Sequence, residues 1–237
     1  MTAGLLALVG GSEFEPGNEP QDREMVAAAG RGPAYVLATA QARSGPAKAV
    51  AHAQRWFAKL GLDVEELPVT TKAHARSREL ADKASAAGFF YLVGGDPGRV
   101  ADVLRESPVW AAMLSAWRRG AVLAGSSAGA MALCRWTLVI ERWPHHDDRK
   151  YKEALNVVPG CVVLPHFDTF GERWIPSAQA APPIPELTLI GINERCAALH
   201  DGRGWRAVGK VSVISDGERS EHVSGDRLPL PEPLTQA

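Results

Sequence analysis

The chain has 237 residues, 46% of them hydrophobic, and a formal net charge of -1. That is enough apolar material for a sizeable α/β core, and the near-neutral balance gives no electrostatic case for nucleic acid or an anionic membrane. The apolar runs are strand-sized and too short to span a bilayer. The first of them, Leu5 to Val9, ends in Gly10-Gly11-Ser12-Glu13 and lacks the basic flank of a signal peptide, so it reads as a first strand. Gln21 to Ala29 reads as a helix, Tyr35 to Ala40 as a second strand, and Pro46 to Leu60 as an amphipathic helix. Leu62 to Val69 is a third strand and Ala75 to Ala87 a helix stopped by Gly88. Phe89 to Val93 is fully apolar and runs into Gly94-Gly95-Asp96-Pro97, and a helical stretch from Val100 to Arg119 is broken near Pro108. Strands alternating with helices this far argue for a parallel sheet covered on both faces.

The stretch around which the chain is organised comes next. Ala121 to Ala124 is a buried strand, Gly125-Ser126-Ser127-Ala128-Gly129 a sharp turn, and Ala130-Met131-Ala132-Leu133-Cys134 a helix start. Strand, turn and helix are the context in which G-x-S-x-G makes a nucleophile elbow. Ser127 would stand at its apex, with the N–H of Ala128 facing the same space as an oxyanion donor. A plain helix entry capped by Ser126 or Ser127 is the simpler alternative. Gly94-Gly95-Asp96 ends the preceding parallel strand, and the carboxyl ends of parallel strands gather on one edge, so Gly95 is expected to supply a second N–H there.

Beyond residue 135 the pattern changes. Leu138 to Glu141, Gly160 to Leu164, Leu187 to Ile192 and Ala197 to His200 are short strands separated by loops. His145 and His146 fall in a charged stretch that reads as a solvated loop, and Pro176 to Pro185 reads as a lid or wall. Asp201-Gly202-Arg203-Gly204 is a hairpin turn before a strand from Val208 to Ile214, and the tail from Asp226 is expected to be loose. One domain over 1–237 with no linker is the expectation. Cys134, Cys161 and Cys196 are odd in number and widely spaced, which fits reduced thiols in a cytoplasmic protein.

A serine nucleophile needs a base and an orienting acid. His52 and His74 lie in helical stretches and His222 near the tail; His200 ends a strand and ranks second. His166 ranks first because it stands just past an apolar strand in Cys161-Val-Val-Leu-Pro-His-Phe-Asp. Glu194, in Gly191-Ile192-Asn193-Glu194, follows an apolar strand in the same way, and Glu141 is the competing carboxylate. Arg173 lies seven residues past His166 and suits a substrate carboxylate, unless it merely pairs with Glu172. No metal-ligand spacing is evident.

Taken in order, Gly94-Gly95-Asp96, Gly125 to Ala130, Pro165-His166-Phe167 and Gly191 to Leu199 resemble motifs of the cyanophycinase and dipeptidase E group of serine peptidases, peptidase family S51. Gly10-Gly11-Ser12-Glu13 looks like the corresponding first strand end. The resemblance implies a class I glutamine-amidotransferase-like three-layer α/β/α sandwich with a mostly parallel central sheet. It further implies hydrolysis of small or Asp-containing peptides without metal or organic cofactor; for assembly, monomer and homodimer both stay open. Carried over, Ser127 is the nucleophile, His166 the base, Gly95 and Ala128 the oxyanion donors, and Asp96 a substrate contact. Glu194 matches the cyanophycinase-like acid, whereas dipeptidase E places its acid near Glu141 and Arg142. Pro97 stands where these families usually carry a glutamine, and Leu164-Pro165 replaces Asp-Gln before the histidine, which bears on substrate. Hydrolysis of another amide or ester, or a non-catalytic binding role, are the competing functions.

Overall fold

Residues 2–235 are described by a computed structural model of the chain. The first half alternates as expected. In chain order it contains β1 (Leu6–Val9), α1 (Glu19–Ala28), β2 (Ala34–Leu37), α2 (Pro46–Lys59), β3 (Val64–Glu66), α3 (Lys72–Ala75), α4 (Arg78–Ser85), β4 (Phe89–Leu92), α5 (Pro97–Leu104), α6 (Pro108–Arg118), β5 (Val122–Ser126) and α7 (Ala128–Leu133). The second half contains β6 (Trp136–Arg142), β7 (His145–Glu153), β8 (Cys161–Leu164), α8 (Ile175–Ala180), β9 (Thr188–Ile192), β10 (Ala197–His200), β11 (Trp205–Val208), β12 (Val211–Ser215), β13 (Glu218–His222) and β14 (Arg227–Leu228).

An eight-stranded sheet runs β14-β11-β10-β1-β5-β4-β2-β3. From β1 to β3 its neighbours are parallel, and β10, β11 and β14 extend it antiparallel. Alternate residues of each strand face opposite layers, as the two-residue period of a strand requires. Leu6, Leu8, Phe90, Leu92 and Leu123 join Met113 and Trp117 of α6 on one side. Val9, Phe89, Tyr91 and Ala124 join Met25 of α1 and Trp56 and Phe57 of α2 on the other. The result is a three-layer α/β/α sandwich with a mostly parallel central sheet. A second sheet, β13-β12-β9-β8, has β8 and β9 parallel, and β6 and β7 form a separate ribbon.

Several boundaries differ from the sequence reading, each for a local reason. The helix expected over 75–87 starts later, at Arg78, because Ser77 caps it by accepting from the N–H of Leu80, and the short α3 precedes it over Lys72–Ala75. The break expected near Pro108 is present, with Ser107 capping α6 at Pro108, whereas α5 starts at Pro97, before Val100, because Asp96 caps it. The second strand stops at Leu37 and gives way to a 3₁₀ turn over Thr39–Gln41. β3 spans only 64–66, followed by Pro68, which has no N–H for a ladder. The charged stretch around His145 is no loop: it is β7, paired along β6. Its order comes from ladder hydrogen bonds and not from burial, so its sequence stays polar. The Pro-rich wall begins with α8, where Pro176 occupies the first turn and its missing N–H costs nothing. The strand expected over 208–214 is two strands in different sheets, turning at Gly209. The tail is anchored through its described residues: β14 pairs with β11, Leu228 and Leu230 are buried, and Leu234 N–H donates to Val157 O at 2.8 Å.

Candidate active site

β5 is buried along its whole length and delivers Ser127 at the sheet edge. Ser127 has φ 49 and ψ -112, a conformation that costs a non-glycine residue about 1–3 kcal/mol and is typical of functional turns. Its N–H donates to Val9 O at 2.9 Å, so the neighbouring β1 holds the turn in place. The tightness explains Gly129: a Cβ there would lie 2.2 Å from Leu92 O. β8 and β9 run parallel in the smaller sheet, so their carboxyl ends bring His166 and Glu194 together. That sheet end is tied to the central sheet by His166 N–H donating to Gly10 O at 2.7 Å.

The side chains converge. His166 Nε2 lies 3.1 Å from Ser127 Oγ, and Nδ1 lies 2.8 Å from Glu194 Oε1. With Nδ1–H donating to the carboxylate, Nε2 is left as acceptor for the serine hydroxyl. The ring is stacked on Phe170 at 4.8 Å between centroids. Glu194 is fixed by its own N–H, which donates to Asp168 Oδ1 at 3.0 Å. Hydrogen bonding from His166 holds the Glu194 carboxyl below its ordinary range, helped by Ser12 and opposed by partial burial. Near Ser127, the N–H of Gly94 is taken by Glu13 Oε1, whereas those of Gly95 and Ala128 have no hydrogen-bond partner among the described residues. Such an arrangement can carry acyl transfer: nucleophile, base, orienter and free donors share one edge.

Comparison with known proteins shows the family. The family model Peptidase_S51, peptidase family S51, matches residues 6–208. The chain belongs to peptidase family S51. This family S51 chain is 28% identical over 242 residues to a cyanophycinase of Trichormus variabilis, covering 99% of the chain and 80% of that protein. A cyanophycinase of Synechococcus elongatus is 25% identical over 186 residues, covering 76% of the chain and 58% of that protein. Among solved structures, a peptidase from an acI-B1 Actinobacterium superposes with a TM-score of 0.83 at 24% identity, covering 95% of this chain and 96% of that one. A putative peptidase E protein from Listeria monocytogenes gives 0.61 at 18% identity, covering 96% and 100%. Both show the fold.

In this S51 chain, Ser127 opens onto a cavity of about 810 Å³ whose lining includes Gly95, Asp96, Arg173 and, from the β6–β7 ribbon, Ile140 and Arg149. Asp96 is there, but its Oδ1 is engaged at 3.1 Å as the cap of α5. Arg173 is exposed in the cavity, and its neighbour Glu172 pairs with Arg219 instead. Glu141 is exposed on β6, and no hydrogen bond joins it to His166 among the described residues. His200 is buried away from the serine and bonds Glu232 Oε2 at 2.8 Å. His145 and His146 lie exposed on β7, and no group of three potential metal ligands occurs among the described residues. No helix among them is long and apolar enough to cross a membrane. Sequence reasoning assigned no role to Glu13, although Gly-Gly-Ser-Glu after the first strand was a visible signal.

Proposed function

We propose that this family S51 chain, acting as one catalytic unit, is a serine peptidase that cleaves small or Asp-containing peptides. The observation that carries the reading is the continuous Glu194–His166–Ser127 hydrogen-bond relay, 2.8 and 3.1 Å, opening onto a cavity sized for a few residues. Ser127 Oγ attacks the scissile carbonyl carbon while His166 Nε2 takes its proton. The carbonyl oxygen becomes an oxyanion facing the N–H groups of Gly95 and Ala128. Collapse breaks the C–N bond, and the amine leaves with the proton from Nε2. A water then attacks the acyl ester, passing its proton to Nε2 and on to Ser127 Oγ as the acid departs. Glu194 holds the tautomer throughout and stabilises the imidazolium.

Arg173 supports the preference for an acidic substrate, since its guanidinium faces the cavity with no carboxylate paired to it among the described residues. The test is a screen of dipeptides and short peptides carrying Asp at each position, with wild type and Ser127→Ala side by side. Cleavage of Asp-containing members by wild type alone is expected. Cleavage by both proteins, or by wild type only of peptides without Asp, would sink the corresponding half of the reading.

A further inference from the structure

Gly94 is held at both of its peptide groups by side chains that the mechanism above does not use. Glu13 Oε1 accepts from Gly94 N–H at 2.8 Å, and Glu13 Oε2 accepts from Ser126 Oγ–H at 2.9 Å. Gln41 Nε2 donates to Gly94 O at 3.0 Å. In a planar trans peptide the C=O and the following N–H point in opposite directions. Gln41 therefore fixes not only Gly94 O but also where Gly95 N–H points. Glu13 fixes the other side of the same residue and ties it to Ser126, the residue before Ser127. Gly94 is wedged between them: a Cβ there would lie 2.9 Å from Glu13 Oε1 and 3.3 Å from Ser127 Cβ. The two carboxylate oxygens face two donors, one from each strand end that contributes an oxyanion N–H.

We propose that Glu13, together with Gln41, is a positioning residue that aims the Gly95 N–H at the oxyanion and sets its distance from the elbow. The inference rests on the serine mechanism proposed above. Oxyanion donors act by being aimed beforehand at charge that develops in the transition state. Loss of aim therefore lowers kcat and leaves KM nearly alone.

The experiment uses the full chain with aspartyl p-nitroanilide for steady-state kinetics, a fluorophosphonate probe for labelling of Ser127, and thermal melting. Glu13→Ala is expected to lower kcat about 10²-fold, as for loss of one oxyanion donor, with KM within about threefold of wild type. Glu13→Gln is expected to return to within about fivefold of wild type. Its amide oxygen can accept from Gly94 N–H, and its NH₂ can donate to Ser126 Oγ, which also accepts. Fluorophosphonate labelling should slow in step with kcat. The proposal is overturned if Glu13→Ala keeps kcat within twofold, if it raises KM alone, or if Glu13→Gln is as impaired as Glu13→Ala. Should Glu13→Ala fail to melt cooperatively, Gln41→Ala carries the test, with a kcat loss of about tenfold expected and an unchanged kcat overturning the idea. Labelling that persists in Ser127→Ala would remove the serine mechanism, and the positioning role with it. Labelling lost in Ser127→Ala with kcat unmoved in the Glu13 variants removes the positioning role only.

Discussion

Ser127, His166 and Glu194 each stand just past a strand that is buried at every position, whereas the ribbon opposite them has a second strand that is largely exposed. The two sides of the cavity are thus built by different means. On the chemical side, main chain locked into sheets places each Cα, and hydrogen bonds such as Ser127 N–H to Val9 O and His166 N–H to Gly10 O complete the placement. On the ribbon side a few side-chain contacts hold the wall. Ser177 Oγ donates to Asp147 O at 2.9 Å, Tyr151 OH donates to Ala178 O at 2.6 Å, and Arg149 sits 3.8 Å above the Trp174 ring. A side whose geometry comes from buried backbone tolerates little change, and a side held by surface contacts can be altered piecemeal. Under the proposed mechanism the reaction belongs to the first wall. Arg173 stands on the 3₁₀ turn Gly171–Trp174, which follows His166 and meets the second wall where Arg149 covers Trp174.

That division is tested most severely on the chemical side. Ser127→Ala should reduce turnover on every substrate by on the order of a million-fold, the loss seen when a triad acts as a unit. Ser126→Ala should cost far less, because Ser126 contacts Glu13 and not His166. The reverse ranking in the same kinetic assay would mean that the elbow is read in the wrong register. Glu194→Gln should lower kcat roughly 10⁴-fold, since the amide no longer favours the imidazole tautomer that accepts the serine proton. Glu141→Gln, altering an exposed residue of the ribbon, should leave kcat within about twofold. If Glu141→Gln is the dead variant, the acid follows the dipeptidase E arrangement and the partition between the walls fails.

The chemical side is also the side that could be read in the amino-acid sequence. An apolar run followed by Gly-Ser-Ser-Ala-Gly announces strand, turn and helix, and His166 and Glu194 carry the same signature of a polar residue just past an apolar strand. Local pattern suffices there because each residue is positioned by its own strand. The ribbon was hidden: β7 has neither apolar alternation nor burial, so its stretch looks like solvated loop until β6 is laid beside it. The anchored tail was hidden for a related reason, since Leu228 and Leu230 reach the core from a stretch of prolines and polar residues that shows no strand or helix period. Glu13 escaped because its partners, Gly94 and Ser126, lie 81 and 113 residues away. The helix starts are different: the break at Pro108 is read from the sequence, and Ser77, which sets the start of α4 at Arg78, is a cap signal equally legible there.

Substrate choice is probed by Arg173, which lines the cavity from the 3₁₀ turn Gly171–Trp174 after His166. A charge-assisted hydrogen bond contributes about 1.5–3 kcal/mol, and exposure to water pulls Arg173 toward the low end. Arg173→Ala should therefore raise KM about tenfold for Asp-containing peptides, leaving kcat and the KM of uncharged peptides almost unchanged. Measured KM values for an Asp peptide and its Asn counterpart decide the point. An equal rise for both would show that Arg173 shapes the wall and does not select charge.

The smallest effect on activity, and the sharpest check on the buried frame, is expected from Asp22. This residue of α1 is 1% exposed; its Oδ2 accepts from Trp56 Nε1 at 2.6 Å, and its Oδ1 has no hydrogen-bond partner among the described residues. Burial raises its pKa from 3.8 to about 7, with Glu19 and Glu13 pushing the same way and the Trp56 bond opposing. Between those two values the folded chain keeps the proton and the unfolded chain has lost it. Unfolding then releases a proton, so stability falls as pH rises from about 4 to 7 and this contribution is flat above. At about 1.4 kcal/mol per unit the fall amounts to a few kcal/mol at most. Asn at this position still offers an oxygen to Trp56 and carries no charge, so Asp22→Asn should remove the fall and be the more stable protein at pH 8. Urea midpoints at pH 5 and pH 8 for both proteins measure it, and kcat should stay within about twofold because no reacting group touches Asp22. A wild type that gains stability from pH 5 to 8 while Asp22→Asn does not would mean that the carboxylate is stabilised by a partner, reversing the sign. A kcat that falls with Asp22→Asn would show that the frame beneath the first strand is coupled to the chemistry and does not merely support it.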